Sequence, residues 1–196
     1  MSNEEYRIAV LGSGGVGKTC LVLRLTRQTF DPEYIPTIQD YFEKKLVVDN
    51  EEYTTKIIDT AGQDEMQGIT DIGIKDAQAC IIVYSVTSQL SFNEVDKFRD
   101  KVRTFSQDNN SKIVLVGNKC DMQERVVTQD QGKKKAAEWG DVPFFETSAK
   151  KDINVQDSFI AALKLLVDKK GGAAPAGKGG KGSSDDGGSG GCCNIA

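Results

Sequence analysis

Histidine is absent from all 196 residues. Its absence removes imidazole general-base catalysis and histidine metal sites from the chemistries open to this chain. Basic charge is also in short supply. The 25 lysines and arginines are outnumbered by 29 aspartates and glutamates, and a net charge of −4 argues against broad nucleic-acid binding. No stretch of about 18 apolar residues is present to cross a bilayer. The opening Met1-Ser2-Asn3-Glu4-Glu5 lacks the basic and apolar segments of a secretory signal, and Ser2 stands where N-myristoylation needs glycine. The five cysteines are odd in number; Cys20, Cys80 and Cys120 lie in or beside apolar stretches and read as reduced core residues, while Cys192 and Cys193 sit at the extreme end. A cytosolic setting and one domain with a full core are the expectation.

The chain does have a glycine-rich loop with a lysine in one particular place. Residues 12–19 read Gly-Ser-Gly-Gly-Val-Gly-Lys-Thr. This is the G-x-x-x-x-G-K-[ST] pattern, in which backbone N–H groups wrap the phosphates of a nucleotide. Glycines let the backbone approach a ligand with no Cβ in the way. Gly14, Gly15, Val16 and Gly17 would line the phosphates, Lys18 would reach the β- and γ-phosphates, and the Thr19 hydroxyl would join the shell of a Mg²⁺ ion. The apolar run Arg7–Leu11 before the loop reads as a buried strand, and Cys20–Thr29 after it as a helix whose N-terminus favours anions.

Strand-length apolar runs recur at Tyr6–Leu11, Leu46–Val48, Lys56–Ile58, Cys80–Val86, Lys112–Val116 and Pro143–Phe145. Most are continuous, as for parallel strands covered on both faces. Tyr41–Val48 and Tyr53–Ile58 flank the polar Asp49-Asn50-Glu51-Glu52 and predict an antiparallel edge hairpin. Helical spacing marks Val95, Phe98, Val102 and Phe105, then Val155, Phe159, Ala162, Leu163 and Leu166; Thr128–Gly140 predicts a shorter helix ended by its glycine. The pattern predicts an α/β fold. Its core is a doubly wound, six-stranded, mostly parallel sheet with one antiparallel edge hairpin and helices on both faces, the ligand lying at the carboxyl ends of the strands. Residues 1–170 form this domain. Residues 171–191 hold ten of the 20 glycines and no large apolar side chain, so 171–196 reads as a flexible tail.

Three further loops follow strands. In Asp59-Thr60-Ala61-Gly62-Gln63, Asp59 is placed to hold the Mg²⁺ shell, Gly62 to give its N–H to the γ-phosphate and Gln63 to orient an attacking water. In Asn118-Lys119-Cys120-Asp121, the Asp121 carboxylate suits guanine, whose N1–H and 2-amino groups are a donor pair that adenine lacks. Asn118 would hold the loop and reach N7, and the Lys119 stem would cover the base. In Ser148-Ala149-Lys150, the Ala149 N–H could meet guanine O6. Phe30 could stack near the base or belong to the core.

With Gly12–Thr19, Thr37, Asp59–Gln63, Asn118–Asp121 and Ser148–Lys150 in order, the chain resembles the Ras superfamily of small GTPases over residues 5–168. The resemblance implies a P-loop GTPase domain that binds GTP or GDP with Mg²⁺ held by Thr19, Thr37 and Asp59. Catalysis would involve Lys18, Thr37, Gly62 and Gln63. Nucleotide contacts would come from the phosphate loop, Cys20, Phe30 and the three later loops. Thr37 looks like the switch I threonine that joins the Mg²⁺ shell only with GTP bound; switch I would span about Phe30–Asp40 and switch II about Asp59–Lys75. Thr37-Ile38-Gln39-Asp40 is close to the Ras-type effector segment, and Gln63 matches Ras rather than Rap. Gln39 and Met66-Gln67 depart from Ras at positions that bear on partner choice.

The implied partners are a GTPase-activating protein, a guanine nucleotide exchange factor and an effector with a Ras-binding-type domain, with no nucleic acid among them. The end, Cys193-Asn194-Ile195-Ala196, fits C-a-a-X, with alanine favouring farnesyl on Cys193. One lipid chain anchors weakly, so Cys192 is the candidate for palmitoylation, and the cytoplasmic face of the plasma membrane is the expected location. Three other readings remain: a Rab-like trafficking GTPase with a doubly prenylated Cys192-Cys193, a non-hydrolysing guanine-nucleotide scaffold, and a P-loop ATPase or kinase.

Overall fold

Continuous apolar strands need cover on both faces, and the chain supplies it from two sets of helices. The computed structural model of the chain describes residues 5–30, 39–60, 67–105 and 112–168. The strands are β1 (Glu5–Leu11), β2 (Gln39–Val48), β3 (Glu51–Thr60), β4 (Ala79–Ser85), β5 (Ile113–Asn118) and β6 (Phe144–Glu146). Alternating with them are α1 (Lys18–Arg27), α2 (Gln67–Asp76), α3 (Gln89–Asn93), α4 (Val95–Phe105), α5 (Gln129–Glu138) and α6 (Val155–Val167). One sheet in the order β2-β3-β1-β4-β5-β6 carries five parallel strands, and only β2 runs antiparallel to its neighbour.

Side chains of successive strand residues point to opposite faces, so each central strand feeds two cores. Ile8, Val10 and Ile57 pack with Leu21 and Leu25 of α1 and with Phe159 and Leu163 of α6. Ala9, Leu11 and Ile58 face the other way, towards Ile74 of α2, Phe92 of α3, Val102 of α4 and Trp139 at the end of α5. Both faces are therefore covered, as the sequence predicts. The tight connection of β2 to β3 is shorter than the four-residue polar turn read from sequence. Asp49 (φ 51°) and Asn50 (φ 66°) make a two-residue turn of the type that suits hairpin twist, and Glu51 and Glu52 already belong to β3.

Helix ends follow local chemistry. Thr128 caps α5 with a capping box, its hydroxyl accepting from Gln131 N while the Gln131 side chain accepts from Thr128 N. Helix α1 begins at Lys18, two residues before the predicted start, because Gly17 (φ 96°) turns the chain directly into it. Cys80 is buried, and Cys20 and Cys120 are only half-buried, so of the three described cysteines one alone is a full core residue. The β3–α2–β4 connection carries the chain past β1, so the strand order reverses there. Ligands of such sheets bind at that switch point, outside the carboxyl ends of the strands.

Candidate functional site

All the parallel strands present their carboxyl ends on one edge, and four of the sequence-predicted loops begin there. The phosphate loop leaves β1 at Leu11 and enters α1 at Lys18. A Cβ on Gly12 (φ 141°) would come within 2.2 Å of the Val83 carbonyl oxygen, so glycine is required where the loop bends against β4. Gly14 and Gly15 lie exposed at the crest, and Val16 is buried beneath it. Lys18, only 6 % exposed, donates to the carbonyl oxygens of Gly12 at 2.8 Å and Ser13 at 3.0 Å. Burial lowers its pKa to about 8 against the favourable charge of Asp59. The Ser13 hydroxyl donates to the Glu94 carboxylate at the end of α3.

Asp59 lies at the penultimate position of β3, in register with Val10 of β1, and is fully buried. Neither of its carboxylate oxygens has a hydrogen-bond partner among the described residues. Burial pushes its carboxyl up to about 6, while the Thr19 side chain and the Lys18 ammonium pull the other way. A buried carboxylate still raised in pKa despite the Thr19 side chain and the Lys18 ammonium beside it is a site short of positive charge. Oxygen donors in this number suit Mg²⁺, which keeps several waters and binds through one or two carboxylates plus substrate phosphates.

The base side is built differently. Asn118 ends β5 and donates from Nδ2 to the Val16 carbonyl at 2.9 Å, tying the second loop to the first. Its Oδ1 accepts from the Thr147 hydroxyl at 3.2 Å and the Ala149 N–H at 3.4 Å, which ties in the third. Lys119 (φ 67°) reaches back to the Gly15 carbonyl at 2.8 Å. The Ser148 hydroxyl donates to Asp121 Oδ1 at 2.7 Å and accepts from the Lys151 N–H at 2.9 Å, which fixes the Asp121 carboxylate. A Cβ on Gly17 would lie 2.5 Å from Asn118 Nδ2, so the sixth loop position must be bare for this seam to close. Phe30 is half-buried and packs against the α1–α6 core. Lys150 is exposed at the rim and Cys20 is half-buried on the first turn of α1.

The structure thus brings together Gly14–Cys20, Asp59, Asn118, Lys119, Asp121 and Ser148–Lys150. Thr37, Gly62 and Gln63, with the lipidation candidates Cys192 and Cys193, lie outside the described residues. Sequence reasoning missed Thr147, whose hydroxyl holds Asn118, and Glu94, which meets the phosphate loop from another element. It also missed the bidentate pair of Arg125 with Glu146, at 2.6 and 3.0 Å, which braces the base loop against β6. Each of these contacts joins residues at least 21 positions apart, beyond the reach of local pattern. A family model described as the Ras family matches residues 7–168, from within β1 to the end of α6.

Proposed function

The chain belongs to the Ras family of small GTPases, and from that premise we propose that it is a lipid-anchored GTP/GDP switch of the Ras signalling type with slow intrinsic hydrolysis. The observation that carries this reading is the seam in which Asn118 and Lys119 bond the carbonyls of Val16 and Gly15. It sets a base-reading loop and a phosphate-reading loop at one fixed separation, which is what a guanine nucleotide needs.

In the proposed reaction Lys18 and the N–H groups at the start of α1 hold the β- and γ-phosphates of GTP. Gln63 orients a water in line with the γ-phosphorus; the new P–O bond forms as the bond to the β-phosphate oxygen breaks, and GDP and phosphate leave. Thr19, Thr37 and Asp59 would hold Mg²⁺, which supplies positive charge against the phosphate oxygens. Residues 28–45 contain no arginine, so no guanidinium comes from switch I itself. An arginine from a GTPase-activating protein, passing the exposed Gly14, would accelerate turnover about 10³–10⁵-fold, a range the Ras system itself sets. Gly62 and Thr37 would let go when the γ-phosphate leaves, and the effector would be released with them. The tail after residue 170 would tether the domain to the cytoplasmic face of the plasma membrane through farnesyl on Cys193 and palmitoyl on Cys192.

The deciding experiment loads the protein with GDP or with a non-hydrolysed GTP analogue and measures binding of a Ras-binding domain. Binding confined to the analogue form is the expected result. No binding with nucleotide shown to be loaded would assign Gln39 and its neighbours to a different partner, and the Rab-like trafficking role would replace this one. Base recognition has its own test. Asp121→Asn should weaken GDP binding and strengthen xanthosine diphosphate, and an unchanged preference would refute the guanine assignment.

A further inference from the structure

One side chain outside every predicted motif joins the phosphate helix to the base loop. Arg24 lies in the last turn of α1, the helix that opens with Lys18 and Thr19. Its Nε donates to the Ala149 carbonyl at 2.7 Å and its Nη2 to the Lys150 carbonyl at 3.2 Å, 125 and 126 residues away. The remaining Nη1 donates to the Gln28 carbonyl at 3.1 Å, where α1 ends. A cationic side chain in the last turn of a helix ordinarily serves that helix's own carbonyls. Here only one of the three bonds does so, and the other two grip a loop on the far side of the site.

We propose that Arg24 is a positioning residue for recognition of the guanine 6-oxo group. This rests on the guanine-nucleotide reading above. Ala149 is buried and held from two directions, its N–H facing Asn118 Oδ1 and its carbonyl facing Arg24. The N–H bond to Asn118 is long at 3.4 Å, so that donor is free to strengthen towards a base oxygen. The bond from Arg24 fixes the Ala149 carbonyl, and with it the orientation of the residue whose own N–H is offered to the 6-oxo group. All three Arg24 acceptors are main-chain carbonyls, so the fork geometry of guanidinium matters here and its charge alone does not suffice. Solvent reaches the clasp from a cleft of about 160 Å³ between the end of α1, β2 and the start of α6, which gives Arg24 room to keep this pose without sealing a charge.

The test compares GDP with the diphosphate of 2-aminopurine riboside, a ligand with the same ribose, phosphates and 2-amino group that lacks the 6-oxo group and, with it, the N1–H, by equilibrium competition on the full chain. Arg24→Met should weaken GDP about tenfold, as expected for loss of a charge-assisted contact, and change the 2-aminopurine ligand less than twofold. Arg24→Lys, which keeps the charge without the fork, should fall between. An equal loss for both ligands would make Arg24 a brace of the fold and overturn the proposal, as would no loss for either. If Arg24→Met does not fold, Arg24→Gln and Arg24→Lys supply the same ratio. A wild-type protein that fails to prefer GDP over the 2-aminopurine ligand would overturn the guanine reading itself, and this inference with it.

Discussion

The base side and the phosphate corner sit on the same edge of the sheet, yet they are finished to different degrees. On the base side, Asn118 and Lys119 bond the Val16 and Gly15 carbonyls, Asn118 Oδ1 accepts from Thr147 and Ala149, and Ser148 donates to Asp121, all at 2.7–3.4 Å. At the phosphate corner, Asp59 is buried with neither oxygen partnered among the described residues, and Lys18 rests on two loop carbonyls with its pKa lowered by burial. A satisfied network rigidifies, whereas an unsatisfied buried charge waits for a ligand to complete it. The difference teaches that the fold alone finishes the Asn118–Asp121 side, while the Asp59 corner is left with a buried carboxylate that the fold does not satisfy.

Replacing Lys18 gives the largest expected effect. Lys18→Met should weaken GDP by about 100-fold or more, since truncating one partner of a buried charge contact costs about 2–5 kcal/mol. Displacement of labelled GDP measures it, and an equal loss from Thr147→Val on the base side would erase the contrast. Asp59→Asn sharpens it from the opposite direction. Burial raises the Asp59 pKa to about 6, so at neutral pH the ionised form opposes folding. The nucleotide-free Asn variant should therefore gain about 1–3 kcal/mol in urea unfolding, while a loss would mean that the carboxylate is already well partnered.

Tyr84 is the exception on the base side. Its hydroxyl is buried behind Gly117 and Gly132 with no partner among the described residues. Tyr84→Phe should raise stability by about 1 kcal/mol, read as a higher urea midpoint at unchanged slope; a lower midpoint would show the hydroxyl to be satisfied.

The smallest effect lies away from both regions. Burial opposes ionisation of Asp96, but the Lys135 ammonium and the Trp139 indole N–H outweigh it and hold the carboxyl below its usual value. The ionised form is therefore stabilised by the fold above about pH 4, and this stability is lost as pH falls through the lowered folded pKa. With Asp96 half exposed, Asp96→Asn should cost less than about 1 kcal/mol at neutral pH. The deficit should vanish in acid unfolding once the pH is below the lowered folded pKa, and a deficit that persists there would assign the effect to packing.

Elements whose chemistry is local were legible in the sequence. The phosphate loop announces itself through spacing, α4 and α6 through apolar period, and α5 through the Gly140 that ends it. Helix α2 did not announce itself, because Gly68, Gly73 and its β-branched residues disfavour helix. Packing holds it instead: Ile74 and Thr70 are buried, and Asp71 pairs with Lys101 of α4 at 3.2 Å. Gly73 lets it lie close on β3, where a Cβ would stand 3.1 Å from Thr60 Cγ2. Helix α3 is only five residues long, too short to show a period. At the site, residue types were legible but ties such as Arg24 to Ala149 were not, since a contact between positions so far apart leaves no trace in either neighbourhood.

The sheet has a consequence for how such a chain can change over generations. Strands β4 and β5 are buried at every position, and β1 is divided between two cores and buried at every position past Arg7. Drift in those strands meets packing on one side or the other. Novelty is channelled to the loops and to the β2 margin, where Asp40, Tyr41 and Glu43 stand in solvent. A lineage built on this scaffold would keep its strands almost verbatim and acquire new partners by rewriting its edges.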